Sequence, residues 1–310
     1  ATSCDLAARA PRPTVVTQAD RDAEGRVGEA HLDLWRVDWH LARRVVDAAL
    51  ATRGQGYRPG PLSDWCTSPA ARGSLEDACW EATWYLLHHR ALLPEALSRD
   101  DVGYDQVAGT LTFPLRVPDG RVEAVARRTP VDGAPYVNLG SAYAPDHPNY
   151  RSVPVRTGEV LFGWWECRDL IDDGEPIVVV EGPADQLRLI GYGYCAVAKL
   201  GKRLTRLQVA YLRSVRNEKI VWPDFDVEGL TAAPADLRAL ADVPNARFVR
   251  HSRLKDAGVS GTTLDDCREA IRSAVPPAMF AAALPEIVSA VRRSNRAYVQ
   301  NCELQRLSLE

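Results

Sequence analysis

The sequence predicts an α/β protein whose main part is a parallel sheet flanked by helices, preceded by a smaller α+β hairpin subdomain and by N-terminal helices. From Pro176 onward, short apolar runs rich in β-branched residues alternate with amphipathic helical segments, which is typical of parallel strands joined by helices. Before that point, two segments of alternating polarity flank the turn at 118–121 and indicate a β-hairpin.

The composition is that of an ordinary globular protein. The chain has 310 residues, of which 46% are hydrophobic and 25% charged, so a sizeable core is expected. The net charge of −3 gives no overall attraction to nucleic acid, although a neutral total can hide a local basic groove. No apolar run approaches the roughly 18 residues of a membrane span, and the start has no signal-peptide pattern. We therefore expect a cytoplasmic protein with no membrane partner.

The seven cysteines predict neither a zinc ribbon nor a disulfide framework. Their number is odd, their spacing is irregular, and no two form a C-x-x-C pair. Reduced and mostly buried thiols are the expected state.

Residues 1–100 are expected to form an N-terminal helical region of unknown role. Apolar spacing predicts one helix over 31–52 and a second from about Leu75 to His89, with Leu97 as an alternative end. The tryptophans of this region are expected to pack a helical core rather than to stack on single-stranded nucleic acid. They are Trp35, Trp39, Trp65, Trp80 and Trp84.

The predicted α+β subdomain covers residues 101–174. Strands at 110–115 and 122–127 form its hairpin, and Val160 to Gly163 opens a helical segment that ends near Gly174. The predicted parallel-sheet domain covers 175–275, and a helical segment follows at 276–310. The strands of the parallel-sheet domain are predicted at 177–180, 195–198, 219–222 and 247–249. The helices of this domain are predicted at 183–191, 205–215, 228–241 and 263–273. Two further helices are predicted at 277–283 and 285–300.

Acidic residues follow two of the predicted strands directly. Glu181 comes after one strand, and Asp224 and Asp226 leave another. In open α/β sheets, ligands bind beyond the carboxyl ends of the strands, so these side chains are expected to converge. One or two carboxylates with waters and substrate phosphates suit Mg²⁺, and two such ions can clamp a phosphoryl transfer. The alternative is that acids near strand ends cap the next helix. Taken singly, Asp185 or Asp226 is more often a cap or a surface charge than a ligand.

The residues of this region resemble the TOPRIM fold. Its first motif is similar to Ile177-Val178-Val179-Val180-Glu181-Gly182-Pro183-Ala184-Asp185, and its second to Asp224-Phe225-Asp226-Val227-Glu228-Gly229, where Glu228 replaces the usual small residue. Between them, Ala196 to Gly201 followed by Leu204-Thr205 resembles a primase segment. Downstream, Arg253 to Ala257 resembles the primase Lys-Asp motif.

The hairpin region extends the likeness to the catalytic core of bacterial and phage DnaG-type DNA primases. Leu111 to Leu115, Gly120, Ala126 to Arg128 and Pro135 to Asn138 resemble the subdomain that precedes TOPRIM in those enzymes, with Pro135 in place of a usual lysine. Val160 to Gly163 resembles the segment that closes it. The resemblance covers about residues 90–275.

This resemblance implies a nucleotidyltransferase that makes short RNA primers on single-stranded DNA. It assigns catalysis to Glu181, Asp224 and Asp226, and places Mg²⁺ or Mn²⁺ on these three, with Asp185 and Asp256 as outer members. Groove-facing cations would bind template and ribonucleoside triphosphate: Arg127, Arg128, Lys199, Lys202 and Lys255. Adjacent strand residues face opposite sides, so only one of the two arginines is expected in the groove. Neither a zinc ribbon nor a P-loop is found in the sequence. Three alternatives remain open: these parts lie on a missing segment, a replicative helicase or a separate zinc-binding protein supplies them as a partner, or the protein works differently.

Two other functions remain open. A TOPRIM nuclease would use the same metal site, with Asp256, Asp265 or Asp266 as a further acid or base. A non-catalytic primase-like module would keep the fold as a nucleic-acid-binding platform. A type I topoisomerase is disfavoured, because 310 residues leave little room for the domain that carries its nucleophilic tyrosine.

Overall fold

The computed structural model describes residues 36–44, 47, 84–105, 109–128, 137–138, 157–250, 256–258 and 262–307, with side chains described up to 294. The predicted helices at 31–52 and 75–89 fall largely outside these ranges. Residues 39–44 are helical, as expected, and Trp39 is fully buried with its indole N–H donating to Val102 O at 2.7 Å. A π-helical turn at Trp84–His89 is followed by a separate helix, α1 (Pro94–Arg99). Ala91, with a φ of +49°, lies between them.

The first sheet is antiparallel, in the order β1-β2-β3-β4. The predicted hairpin is confirmed by β2 (Thr110–Arg116) and β3 (Val122–Arg128). The strands β1 (Gly103–Asp105) and β4 (Val137–Asn138) flank the hairpin and were not predicted. The predicted helical segment after Val160 is in fact mixed, because Phe162 forms an isolated bridge to Ala198 before helix α2 (Arg168–Asp172) begins.

The second sheet is parallel, in the order β6-β5-β7-β8, and is flanked by helices, which confirms the predicted fold class. Its strands, in chain order, are β5 (Ile177–Val180), β6 (Cys195–Ala198), β7 (Lys219–Val221) and β8 (Ala246–Phe248). Each strand is within one residue of its prediction. All four residues of β5 are buried, as expected of a β-branched strand covered on both faces.

The connecting helices begin where local sequence signals place them. These are α3 (Pro183–Gly191), α4 (Arg206–Ser214), α5 (Val227–Ala239) and α6 (Leu264–Arg272). Proline opens α3, and capping boxes of Thr205 with Gln208 and of Thr263 with Asp266 open α4 and α6.

The prediction of two helices after residue 276 is wrong, since α7 runs unbroken from Pro277 to Leu307 with Pro285 inside it. Phe280 and Leu284, one turn apart, are both buried, and the Phe280 ring stacks on that of Phe248 at 5.1 Å. Burial of this apolar face offsets the hydrogen bond that the proline removes. No helix in the described part of the chain is both long and apolar enough to cross a membrane.

The segment 90–100 is fixed to α3 by buried polar contacts. Arg188 donates to Ala91 O at 2.8 Å and to Arg90 O. Gln186 Nε2 donates to Asp100 Oδ2 at 2.8 Å, and both side chains are fully buried. These bonds join the N-terminal part of the fold to the helix that follows β5.

At Gly163 the backbone passes close to the Gln186 side chain of this junction, and an added Cβ would collide with the Gln186 amide. The φ of Gly163 is +84°, which also favours glycine. We expect Gly163→Ala to lower the free energy of unfolding by the left-handed backbone cost of about 1–2 kcal/mol and by a further overpacking cost of about 1–3 kcal/mol. Gly174→Ala is the matched control, since its φ is +87° but nothing lies within 4 Å of its added Cβ. Urea unfolding of both variants tests this, and equal losses would contradict it.

Asp100 provides a pH-dependent test of the same junction. Burial, followed by the nearby Glu166 and Cys167, raises the pKa of the Asp100 carboxyl well above its ordinary value. The folded state therefore holds a proton that the unfolded chain releases, and the free energy of unfolding falls as pH rises between the ordinary and the raised pKa.

Asp100→Asn removes this titration. Its free energy of unfolding, relative to wild type, should therefore increase from pH 4.5 to pH 8, by at most about 1.4 kcal/mol per pH unit. Asp169→Asn, on a side chain that is 79% exposed, serves as the control. If the free energies of unfolding of wild type and Asp100→Asn change equally with pH across this range, the expectation is refuted.

Candidate metal-binding active site

The order of the parallel sheet places a crevice between β5 and β7. The chain passes from β5 to β6 on one side of the sheet and then to β7 and β8 on the other. Open α/β sheets bind ligands at the carboxyl ends of the strands where the strand order reverses in this way. Val179 is paired with Val221, so the residues after β5 and those after β7 leave the same edge of the sheet together.

Glu181 lies at this edge with a half-buried side chain. Its backbone oxygen accepts a hydrogen bond from Leu200 N at 3.0 Å. Its Oε2 is buried and has no hydrogen-bond partner among the described residues. Burial raises the pKa of Glu181, the charge of Lys199 counters this, and Asp226 adds to the rise. A buried carboxylate oxygen without a donor is suited to bind a cation.

Asp224 and Asp226 leave β7 on the opposite side of the crevice. Asp226 caps α5, its Oδ1 accepting from Gly229 N at 2.7 Å, so the capping interpretation is correct for this residue. Capping and metal binding are compatible, because a carboxylate has two oxygens. Gly229 is needed here because an added Cβ would lie 2.6 Å from Asp224 O and 2.7 Å from Asp224 Cβ.

Asp185 is held inside the fold. It is 7% exposed, and its two oxygens accept from Gly182 N at 3.0 Å and Gly258 N at 2.7 Å. Burial, then the charges of Asp256 and Asp224, raises its pKa. The bond to Gly258 brings the segment 256–258 to the crevice, and Arg90 Nη1 also donates to Gly258 O at 3.3 Å. Asp185 thus connects the Asp224 and Asp256 sides of the site.

Carboxylate oxygens are hard donors of the type that Mg²⁺ and Mn²⁺ prefer. Within the described ranges, no three His, Cys, Asp or Glu side chains form a ready-made metal cage. Mg²⁺ needs none, because one or two carboxylates suffice when waters and substrate phosphates complete its octahedron. The residues therefore fit a divalent cation shared with a phosphate-bearing substrate, with Glu181 as the best-placed donor.

The predicted cationic residues are placed in different environments. Lys199 is 4% exposed, and its Nζ donates to Asp236 Oδ2 and to Lys202 O, both at 2.8 Å. Lys202 is exposed and pairs with Glu228 at the N-terminus of α5, near Glu181 and Asp226. Lys255 lies outside the described residues. The remaining lysine, Lys219, is buried at the start of β7, away from the carboxyl edge.

The two arginines at the end of β3 also differ. Arg127 is 4% exposed and bonds to the buried Asp105 at 2.5 Å. Arg128 is half-buried, with its guanidinium 5.9 Å from the centre of the Tyr85 ring. Their opposite directions follow from the strand pleat, and Arg128 is the more accessible of the two.

Sequence reasoning missed Asp236, the partner of Lys199. The signal was present in α5, where Asp236 lies one turn from both Ala232 and Leu240 on the buried face. A charged residue at an apolar helix position indicates a buried partner.

Comparison with known structures gives one consistent result. A DnaG primase catalytic domain bound to single-stranded DNA superposes with a TM-score of 0.59 and 18% identity, covering 87% of this chain and 85% of that one. The RNA polymerase domain of Mycobacterium tuberculosis primase DnaG gives 0.54 and 22%, covering 75% and 89%. This chain has the fold of a DnaG-type primase catalytic core.

Curated sequences agree with this fold. The DNA primase of Deinococcus radiodurans is 28% identical over 221 residues, which cover 71% of this chain and 35% of the primase. That of Haemophilus influenzae is 30% identical over 141 residues, covering 44% and 22%. The chain thus spans about a third or less of the length of these curated relatives. No protein-family model matches the chain.

The close approach of Gly229 to Asp224 gives a test of the site. We expect Gly229→Ala to displace the Asp224 loop and to weaken Mn²⁺ binding by about 10- to 100-fold, the range typical of changes beside a metal ligand. Gly201→Ala is the matched control, because nothing lies within 4 Å of its added Cβ. Isothermal titration with Mn²⁺ measures the effect. Equal affinities in the two variants would show that Asp224 does not contribute to cation binding.

Proposed function

We propose that this chain synthesises short RNA primers on single-stranded DNA by metal-dependent nucleotidyl transfer, and that residues 175–275 form a TOPRIM domain. The observation that carries the proposal is that the segments bearing Glu181 and Asp224–Asp226 leave neighbouring parallel strands at the same edge of the sheet, where the strand order reverses. The DnaG-type fold and the relatives named DNA primase support it.

In this reaction, the 3′-hydroxyl of one ribonucleotide attacks the α-phosphate of the next, and pyrophosphate leaves. Bound Mg²⁺ or Mn²⁺ would neutralise charge on the phosphates and polarise the attacking and leaving oxygens. Glu181, Asp224 and Asp226 would hold the cation and orient the triphosphate. Asp185 positions the Asp256 segment, and Asp256 is an outer member of the acidic set.

The accessible members of the predicted cationic set would bind the polyanionic substrates. Lys202 is near Glu181 and Asp226, and after release from Glu228 its ammonium would bind the triphosphate. Arg128, the more accessible of the two β3 arginines, would contact the template backbone, and Lys255 is assigned by sequence alone. Lys199 and Arg127 form buried ion pairs with Asp236 and Asp105. A direct role in substrate binding is therefore less favoured for these two residues. A replicative helicase or a separate zinc-binding protein remains the proposed protein partner.

The proposal is tested by primer synthesis on single-stranded DNA with labelled ribonucleotides and Mg²⁺ or Mn²⁺. We expect Asp224→Asn/Asp226→Asn to reduce synthesis by about 100-fold or more, because electrostatic stabilisation of the transition state is lost. Asparagine keeps the cap on α5, so the fold should be retained. Asp169→Asn, on an exposed side chain of α2, is the control and should match wild type.

Two other outcomes would overturn the assignment. Loss of the template strand that depends on Asp224 and Asp226, without primer synthesis, would identify a nuclease. Salt-sensitive DNA binding without either reaction would identify a non-catalytic module.

A further inference from the structure

The Lys199 side chain leaves its strand beside Glu181, but its buried ammonium binds other groups. Val180 is paired with Ala198, so Glu181 and Lys199 follow neighbouring strands at the same level. The positive charge of Lys199 lowers the pKa of Glu181 against the effect of burial. Yet Glu181 Oε2 is buried without a hydrogen-bond donor among the described residues. The Lys199 Nζ donates instead to Asp236 Oδ2 and Lys202 O, both at 2.8 Å.

The surroundings of Asp236 stabilise its ion pair with the Lys199 ammonium. The carboxylate is 1% exposed, and its other oxygen, Oδ1, accepts from Leu204 N at 2.7 Å. Both partners of the ion pair are therefore buried and hydrogen-bonded. Removal of one partner would leave the other as an uncompensated buried charge.

The backbone of Lys199 is fixed, so a change of partner would need only the side chain to move. Its N–H donates to Val180 O at 3.0 Å, and its carbonyl accepts from Gln208 Nε2 at 2.8 Å. Next to it, Leu200 N donates to Glu181 O at 3.0 Å. The lysine stem starts beside Glu181, and its flexible four-carbon chain allows the ammonium to choose between carboxylates.

We propose that Asp236 is a positioning residue that withholds the Lys199 ammonium from Glu181 and so keeps that carboxylate open to a divalent cation. This inference rests on one part of the proposed function, namely that Glu181 binds metal. Without the Asp236 carboxylate, Lys199 pairs with Glu181, and a cation must break that pair in order to bind.

The experiment measures Mn²⁺ affinity of the purified chain by isothermal titration, without nucleotide or DNA. Asp236→Asn keeps an acceptor for Leu204 N but loses the charge. We expect Mn²⁺ affinity to fall by about 10- to 100-fold, the range typical of changes outside the ligand set. Addition of Lys199→Met to this variant removes the competing ammonium and should return Mn²⁺ affinity to that of wild type, because contacting residues couple rather than add.

Glu228→Gln separates this mechanism from a general loss of negative charge. Glu228 also raises the pKa of Glu181, but the lysine that it pairs with is 62% exposed and is stabilised by water when released. We expect a smaller loss of Mn²⁺ affinity than in Asp236→Asn. Equal losses in the two variants, or failure of Lys199→Met to rescue, would overturn the proposal.

Lys199→Met alone provides a second test, in which the Asp236 carboxylate loses its ion-pair partner but keeps the hydrogen bond from Leu204 N. Removal of the ammonium should leave Mn²⁺ affinity at or above that of wild type, and weaker binding would refute the inference. Glu181→Gln tests whether Glu181 binds the metal at all. Unchanged Mn²⁺ affinity in this variant would also overturn the proposal. If the metal results hold but no primers are made, primer synthesis fails as the function while the role of Asp236 stands.

Discussion

The parallel pairing of β5 with β7 is the constraint on which the candidate site depends. These two strands are far apart in sequence, and β6, which separates them along the chain, lies on the other side of β5 in the sheet. The register of β5 and β7 makes both strands end at the same edge of the sheet. Glu181 and the Asp224–Asp226 loop converge for that reason, and a slip in register would separate them.

Like charges brought together in this way must be stabilised by their surroundings. Asp185 is stabilised by two backbone N–H groups and Asp226 by the first turn of α5. Glu181 differs, because one of its oxygens has no such donor among the described residues. The fold therefore uses two of the acids to hold its loops and leaves Glu181 as the side chain most suited to an external cation.

Much of this arrangement was predictable from local signals. The β-branched run of β5, the opening proline of α3 and the threonine capping boxes each indicate their element within the sequence itself. The acidic residues could be placed at one edge of the sheet because they closely follow the predicted strands. The continuation of helix α7 through Pro285 was not predictable, since its stability depends on the packing of Phe280 and Leu284 against elements distant in sequence.

The sequence by itself determined the alternation of strands and helices and the positions of the acids at strand ends, because both are encoded by neighbouring residues. Only the tertiary structure decided which charged groups face one another. Lys199 and Arg127 have the character of groove cations in sequence, but Asp236 and Asp105 draw them inside. The physical reason is that a buried charge is stable only with its partner, and those partners come from distant segments of the chain.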